Sequence, residues 1–133
     1  MQHMLGRFSA GLYATMRIVV GLSFAQHGAQ KLFGLLGGVG SGGQAQLFSL
    51  LGAAGVIEFF GGLLIAFGLF GSLVALIAAA EMAVAYVRVH ASRGVAPIEN
   101  GGELAVLYGV VFLYIAARGS GVLSLDAWRQ RSR

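Results

Sequence analysis

The chain has 133 residues, 57% of them hydrophobic and only 11% charged, where a soluble domain carries roughly 25% charged residues. With a mean hydropathy of +0.80, so short a chain cannot cover itself with polar surface, which excludes an ordinary soluble domain. The net charge is +4 and there is no cysteine: the basic residues sit mostly at the ends of apolar runs, which points to anionic lipid rather than nucleic acid, and thiol–disulfide chemistry, iron–sulfur clusters, covalently attached haem and zinc–thiolate sites are excluded.

In chain order, the first apolar segment spans about 8–32. Arg17 interrupts it and it is too long for a signal-peptide core, so no cleavable leader is expected. Residues 34–46 are rich in Gly, Ser and Gln and read as a flexible or re-entrant loop. A second segment spans about 47–69, and the turn Gly68-Leu-Phe-Gly71-Ser72 leads into a third, about 71–89. The loop 91–100 holds the single proline, Pro97, and Asn100 is placed to cap a fourth segment over about 101–117. Beyond Gly119, Ser124 is a natural cap for a short interfacial helix. In that helix Trp128 would lie at headgroup depth, and Arg129, Arg131 and Arg133 would touch lipid phosphate.

Each segment approaches the ~20 residues a bilayer core requires, and no two-residue alternation marks a β-barrel. Twenty-two glycines suit helices that approach closely on small residues. The expectation is an all-α, integral membrane four-helix bundle, a single domain over 1–133 with a short C-terminal interfacial helix. Four spans put both termini on one side, with Arg7, Arg118, Arg129, Arg131 and Arg133, against Lys31, Arg88 and Arg93 on the other. That asymmetry places both termini in the cytoplasm.

Three charges lie inside apolar runs: Arg17, Glu58 and Glu81. Counted from the cytoplasmic end of each helix they fall within one turn in depth, and each left alone would cost roughly 2.5–3.5 kcal/mol. They are expected to face inward as a buried charge cluster. In it Arg17 bridges to one or both glutamates, or one glutamate is protonated. Such a cluster either fixes helix register or forms a proton or ligand site.

A second polar layer lies toward the outer face. Gln26, His27 and Lys31 close the first helix, Tyr86, Arg88 and His90 close the third, and Asn100 and Glu103 open the fourth. His27 and Lys31, four apart, share a helix face. His27, Lys31, Tyr86, His90 and Glu103 are therefore the candidate ligand-binding residues; the alternative is an ordinary wetted interface. Two imidazoles, cations and a carboxylate suit the carbonyls of a quinone and the movement of its protons. The glycines after Lys31 would let the loop fold over this opening. Paired histidines also admit a b-type haem, but nothing else marks a haem pocket, and no haem, covalent cofactor, metal site or catalytic residue is assigned. Four small helices with carboxylates also bring multidrug exporters to mind, but here the first helix carries an arginine and no carboxylate.

These residues together resemble the DoxX family of small bacterial membrane proteins. The matching stretches are Arg17 with Gly21-Leu-Ser-Phe, His27-Gly-Ala-Gln-Lys31-Leu-Phe-Gly34, Glu58-Phe-Phe-Gly61-Gly62 through Gly68, the His90 end of the third helix, Asn100-Gly-Gly-Glu103 and Gly119-Ser-Gly-Val-Leu-Ser124-Leu-Asp126. The resemblance implies a multi-pass protein of the bacterial inner membrane linked to redox metabolism. Some relatives are described as subunits of a thiosulfate:quinone oxidoreductase, and others accompany membrane oxidoreductases that handle oxidative or thiol stress. The implied role is a membrane subunit of a quinone-linked oxidoreductase system, binding quinone, lipid or a small anion at an outer-face site beside other membrane subunits. The alternative is a structural subunit that packs within a larger complex and has no chemistry of its own.

Overall fold

A computed structural model of the chain describes residues 5–132. Arg133 therefore lies outside the described residues. Among those described the structure is helical, with no strand beyond an isolated Val39–Gly43 bridge.

Helix α1, Ser9–Phe33, ends at Gly34 in the left-handed region (φ 65°), where glycine carries no steric penalty. Helix α2, Leu50–Phe67, begins three residues later than expected because Ser49 caps it, accepting a hydrogen bond from Gly52 N–H. It contains a π turn at Ile57–Gly61 and stops at Gly68, again left-handed. Helix α3, Gly71–Arg93, is α-helical to Ala85, passes through a second π turn at Tyr86–His90 and tightens to 3-10 geometry at Ala91–Arg93. It thus overruns its expected end at about residue 89. Asn100 does not cap the next long helix. It ends a short helix α4, Pro97–Asn100, and α5 follows as Glu103–Arg118. Ser124 caps α6, Leu125–Arg131, accepting from Ala127 N–H.

The long helices form two antiparallel pairs. In the first, α1 and α2 meet on glycine. A Cβ at Gly21 would lie 2.6 Å from the Ala66 nitrogen and the Gly62 oxygen, and one at Gly28 would lie 2.2 Å from the Phe59 nitrogen. In the second pair, α3 presents Ala75, Ala78, Ala79 and Met82 to Ala105, Tyr108, Phe112 and Ile115 of α5. Phe24 of α1 joins the pairs, its ring 4.7 Å from that of Phe112 and 5.4 Å from that of Tyr108. The outward faces are apolar: Leu73, Leu76, Leu107, Val110 and Leu113 are all more than half exposed. By length and composition α2 and α3 can each cross a bilayer, with mean hydropathies of 2.1 and 1.8.

Candidate ligand-binding cavity

Arg17 does not pair with Glu58 or Glu81. The glycine contacts set the register of α1 on α2, so Arg17 faces the end of α2, while Glu58 lies near Gly28 and Lys31. Counting residues from helix ends fails here because α1 overshoots α2 by about two turns. Arg17 is completely buried, and its guanidinium donates to the carbonyls of Ile65 and Ala66, both at 2.6 Å, and of Leu123 at 2.8 Å. The last carbonyls of a helix lack intrahelical partners and carry the negative end of its dipole, so a cation fits there. Arg17 serves as a C-terminal cap for α2.

Asp126 is its counterpart. It accepts from Gly71 N–H (3.2 Å) and Ser120 Oγ (2.6 Å), at the N-terminus of α3. Burial opposes its ionisation, but the hydrogen bonds from Ser120 and from the Phe70 and Gly71 amides, with Arg129 nearby, outweigh this and hold the carboxyl below the usual aspartate range. The chain after α5 thus fastens the α2–α3 turn at both helix ends.

The other end of the molecule is built differently. A Cβ at Gly55 would meet the Lys31 side chain at 2.9 Å. The missing side chain leaves room for the Lys31 stem, which leans toward Glu58, one turn further along the same face of α2. Lys31 Nζ donates to both carboxylate oxygens of Glu58, which is 97% buried. Glu81 of α3 is within electrostatic reach of this pair, and its Oε2 is buried without a hydrogen-bond partner. His27 stands edge-on to Tyr108, with ring centroids 6.0 Å apart.

These groups border one cavity of about 890 Å³, between α1, α2, α3 and α5. Its walls are otherwise mostly aliphatic, from Leu50, Leu51, Ile57, Ile77, Val84 and Leu104 among others. Both π turns contribute to it, Ile57 and Glu58 from one, Arg88 and His90 from the other; such turns recur at functional sites. Of the residues singled out in the sequence, His27, Lys31 and His90 line the cavity together with Glu58 and Glu81, which had been assigned to a separate, deeper layer.

Tyr86 and Glu103 do not line it. The Tyr86 hydroxyl donates to the Val95 carbonyl and receives the Asn100 amide, so it holds the loop before α4. Asn100 is buried, and its Oδ1 accepts from Gly102 N–H while its amide also reaches the Gly94 carbonyl. Glu103, in the first turn of α5, is exposed, where a carboxylate suits the helix dipole. The glycine loop does not cover the opening either. Ala45 N–H bonds back to the Lys31 carbonyl, and none of residues 34–49 borders the cavity.

The sequence profile of the DoxX family matches residues 12–91, more than half of the chain and the part that supplies α1, α2 and nearly all of α3. The chain belongs to the DoxX family. An uncharacterized protein of Haemophilus influenzae is 40% identical over 129 residues, covering 92% of this chain and 93% of that protein. No solved structure matches the chain. As a DoxX protein it is a membrane protein, and its two long apolar helices fit that setting. The family match ends at residue 91, so the α5 wall of the cavity and the C-terminal fastening lie beyond it.

Proposed function

We propose that this DoxX protein is a four-helix, multi-pass inner-membrane subunit of a quinone-linked oxidoreductase system, and that the cavity is its quinone site. The observation that carries the reading is the cavity itself. An isoprenoid quinone needs an apolar channel for its tail and a few polar groups for its ring oxygens. The aliphatic walls suit the first, and Lys31, His27, Glu58 and Glu81 on facing walls suit the second. An imidazole carries two ring nitrogens and can take a proton at one and give it from the other. The apolar outward faces of α3 and α5 support a bilayer setting, since patches of that extent are rare on soluble monomers. The basic residues Arg7, Arg118, Arg129 and Arg131 support cytoplasmic termini, with the cavity toward the outer leaflet. The electrons are supplied or taken up by a partner subunit carrying a redox cofactor.

The test is native mass spectrometry and quinone titration of protein released from its own membrane in mild detergent. A quinone should copurify, and Lys31→Met with Glu58→Met should release it while the helical circular-dichroism spectrum is kept. Protein that retains only phospholipid and binds no added quinone would point to a packing subunit instead.

A further inference from the structure

At the end fastened by Arg17 and Asp126, basic residues outnumber acidic ones. Of the five carboxylates in the chain, Glu58 and Glu81 border the cavity, and Glu99 and Glu103 belong to α4 and the first turn of α5. Asp126 alone is at this end, and Ser120 and the start of α3 hold it. Most of the arginines here are engaged as well. Arg17 is spent on carbonyls. Arg118 lies over the Tyr13 ring at 4.5 Å, and Arg129 over the Phe70 ring at 5.4 Å. Arg131, in the last turn of α6, has neither a carboxylate nor an aromatic ring among the described residues.

Arg131 instead borders a groove of about 560 Å³, which shares no residue with the cavity. Helix α1 contributes Ile18 and Leu22, the end of α2 contributes Phe67, and α6 contributes Trp128. Leu123, just before α6, also lines it. Its backbone is left-handed (φ 53°), a conformation uncommon for leucine. Its carbonyl is held by Arg17 while its side chain stays exposed in the groove. The Ser124 hydroxyl is already used, donating to the Gly121 carbonyl and accepting from Ala127 N–H. The groove therefore offers apolar walls and one uncommitted cation. Trp128 and Arg131, three residues apart, share a face of α6.

This combination matches a phospholipid. Acyl chains need apolar walls, an indole suits headgroup depth, and an arginine near the surface attracts an anionic headgroup. A zwitterionic headgroup brings its own ammonium to its phosphate. An anionic one leaves that charge for the guanidinium, which bonds phosphate oxygens strongly. We propose that the groove binds one anionic phospholipid, with an acyl chain against Ile18, Leu22, Phe67 and Leu123 and the phosphate on Arg131. The site needs only the membrane setting and does not rest on the quinone reading. The preference for an anionic over a zwitterionic headgroup is about fivefold, the contribution of one arginine near a membrane surface.

The experiment is native mass spectrometry of the purified protein in mild detergent, titrated with phosphatidylglycerol and separately with phosphatidylcholine of the same acyl chains. The first phosphatidylglycerol should bind about fivefold more tightly than the first phosphatidylcholine. That ratio should fall to near one in Arg131→Gln. It should persist in Arg118→Gln, which removes a charge at the same end but outside the groove. Equal binding of the two lipids by the parent protein overturns the site. A preference that survives in Arg131→Gln, or that is lost equally in both variants, overturns it too, because the attraction is then diffuse charge. Glycerol phosphate carries the anion without the chains, and in large excess it should leave the lipid bound. Displacement would show an anion held without the groove and would overturn the acyl-chain assignment.

Discussion

At one end of the molecule Arg17 and Asp126 bond chiefly to backbone at helix termini. At the other end Lys31 and Glu58 bond to each other, and Glu81 Oε2 has no partner among the described residues. Both ends place ionisable groups against helices that are apolar outside. The difference is in what the charge meets. A guanidinium with carbonyls on two segments fixes where those segments lie, and the fold around it is closed. A carboxyl beside a cavity fixes nothing by itself and stays available. A charge within an apolar segment is therefore not one kind of signal: it can finish a helix or furnish a site, and its neighbours decide which.

The sharpest way to break this contrast is at Arg17. Arg17→Leu would leave the Ala66 carbonyl without its donor, since Ile65 keeps its bond from Gly68 N–H, and would cut the link to Leu123; it should cost about 2–4 kcal/mol, read as lost thermal stability in detergent. Arg17→Lys should recover only part, because one ammonium cannot reproduce a planar fork spanning two segments. If Arg17→Leu is as stable as the parent, the closed end is not held as described.

Lys31→Met comes next. It strands the Glu58 carboxylate and should cost about 2–3 kcal/mol, at or below the usual range for a broken buried pair because the Lys31 side chain is 18% exposed. The double variant Lys31→Met, Glu58→Met should regain most of that stability, since an apolar pair of similar volume suits the interior. A double variant no better than the single would show that the pair does more for the fold than the open end requires.

Asp126→Asn should cost about 1 kcal/mol, the value of a charge at a helix N-terminus. The sign of its pH dependence is fixed. A carboxyl held below its ordinary value contributes stability in full above the unfolded pKa of about 3.9, and loses it as pH falls through the lower, folded value. The gap between parent and variant in thermal unfolding should therefore be flat near neutrality and close on acidification. A gap that widens toward low pH would contradict the assignment.

The smallest effect has the opposite sign. Glu81→Leu removes a carboxyl whose Oε2 is buried and unpartnered, and should stabilise the protein by about 0.5–1 kcal/mol. A loss of stability there would make the open end structural after all.

The helices were legible because composition and run length decide them, and the cap at Ser124 was legible because hydroxyl caps follow from the missing partners of a helix start. The depth of Arg17 was not, since it depends on register. The pairing of Gly21 with Gly62 and of Gly28 with Phe59 sets that register, and the glycine spacing in α1 was the signal that could have corrected it. Lys31 was placed in an interfacial layer because its Cα is there; its four-carbon stem carries the charge a turn deeper, past Gly55. Tyr86 and Glu103 share the level of His27 and His90 in sequence, but their side chains serve the loop and the surface. The π turns left no mark in the residue pattern that periodicity could read.

Those turns also separate what each half of a helix is free to do. An α-helix advances 100° per residue, so a single extra residue in a π turn shifts the angular phase of everything beyond it by about that much while lengthening the helix by only about 1.5 Å. In α2 the stretch after the turn keeps Gly62 against α1, and the turn itself carries Glu58 to the cavity. The two alignments need not agree with a single helical repeat. Loss of one residue between Ile57 and Gly61 would leave a span of nearly the same length and hydropathy, with one of its two faces turned away from its partner.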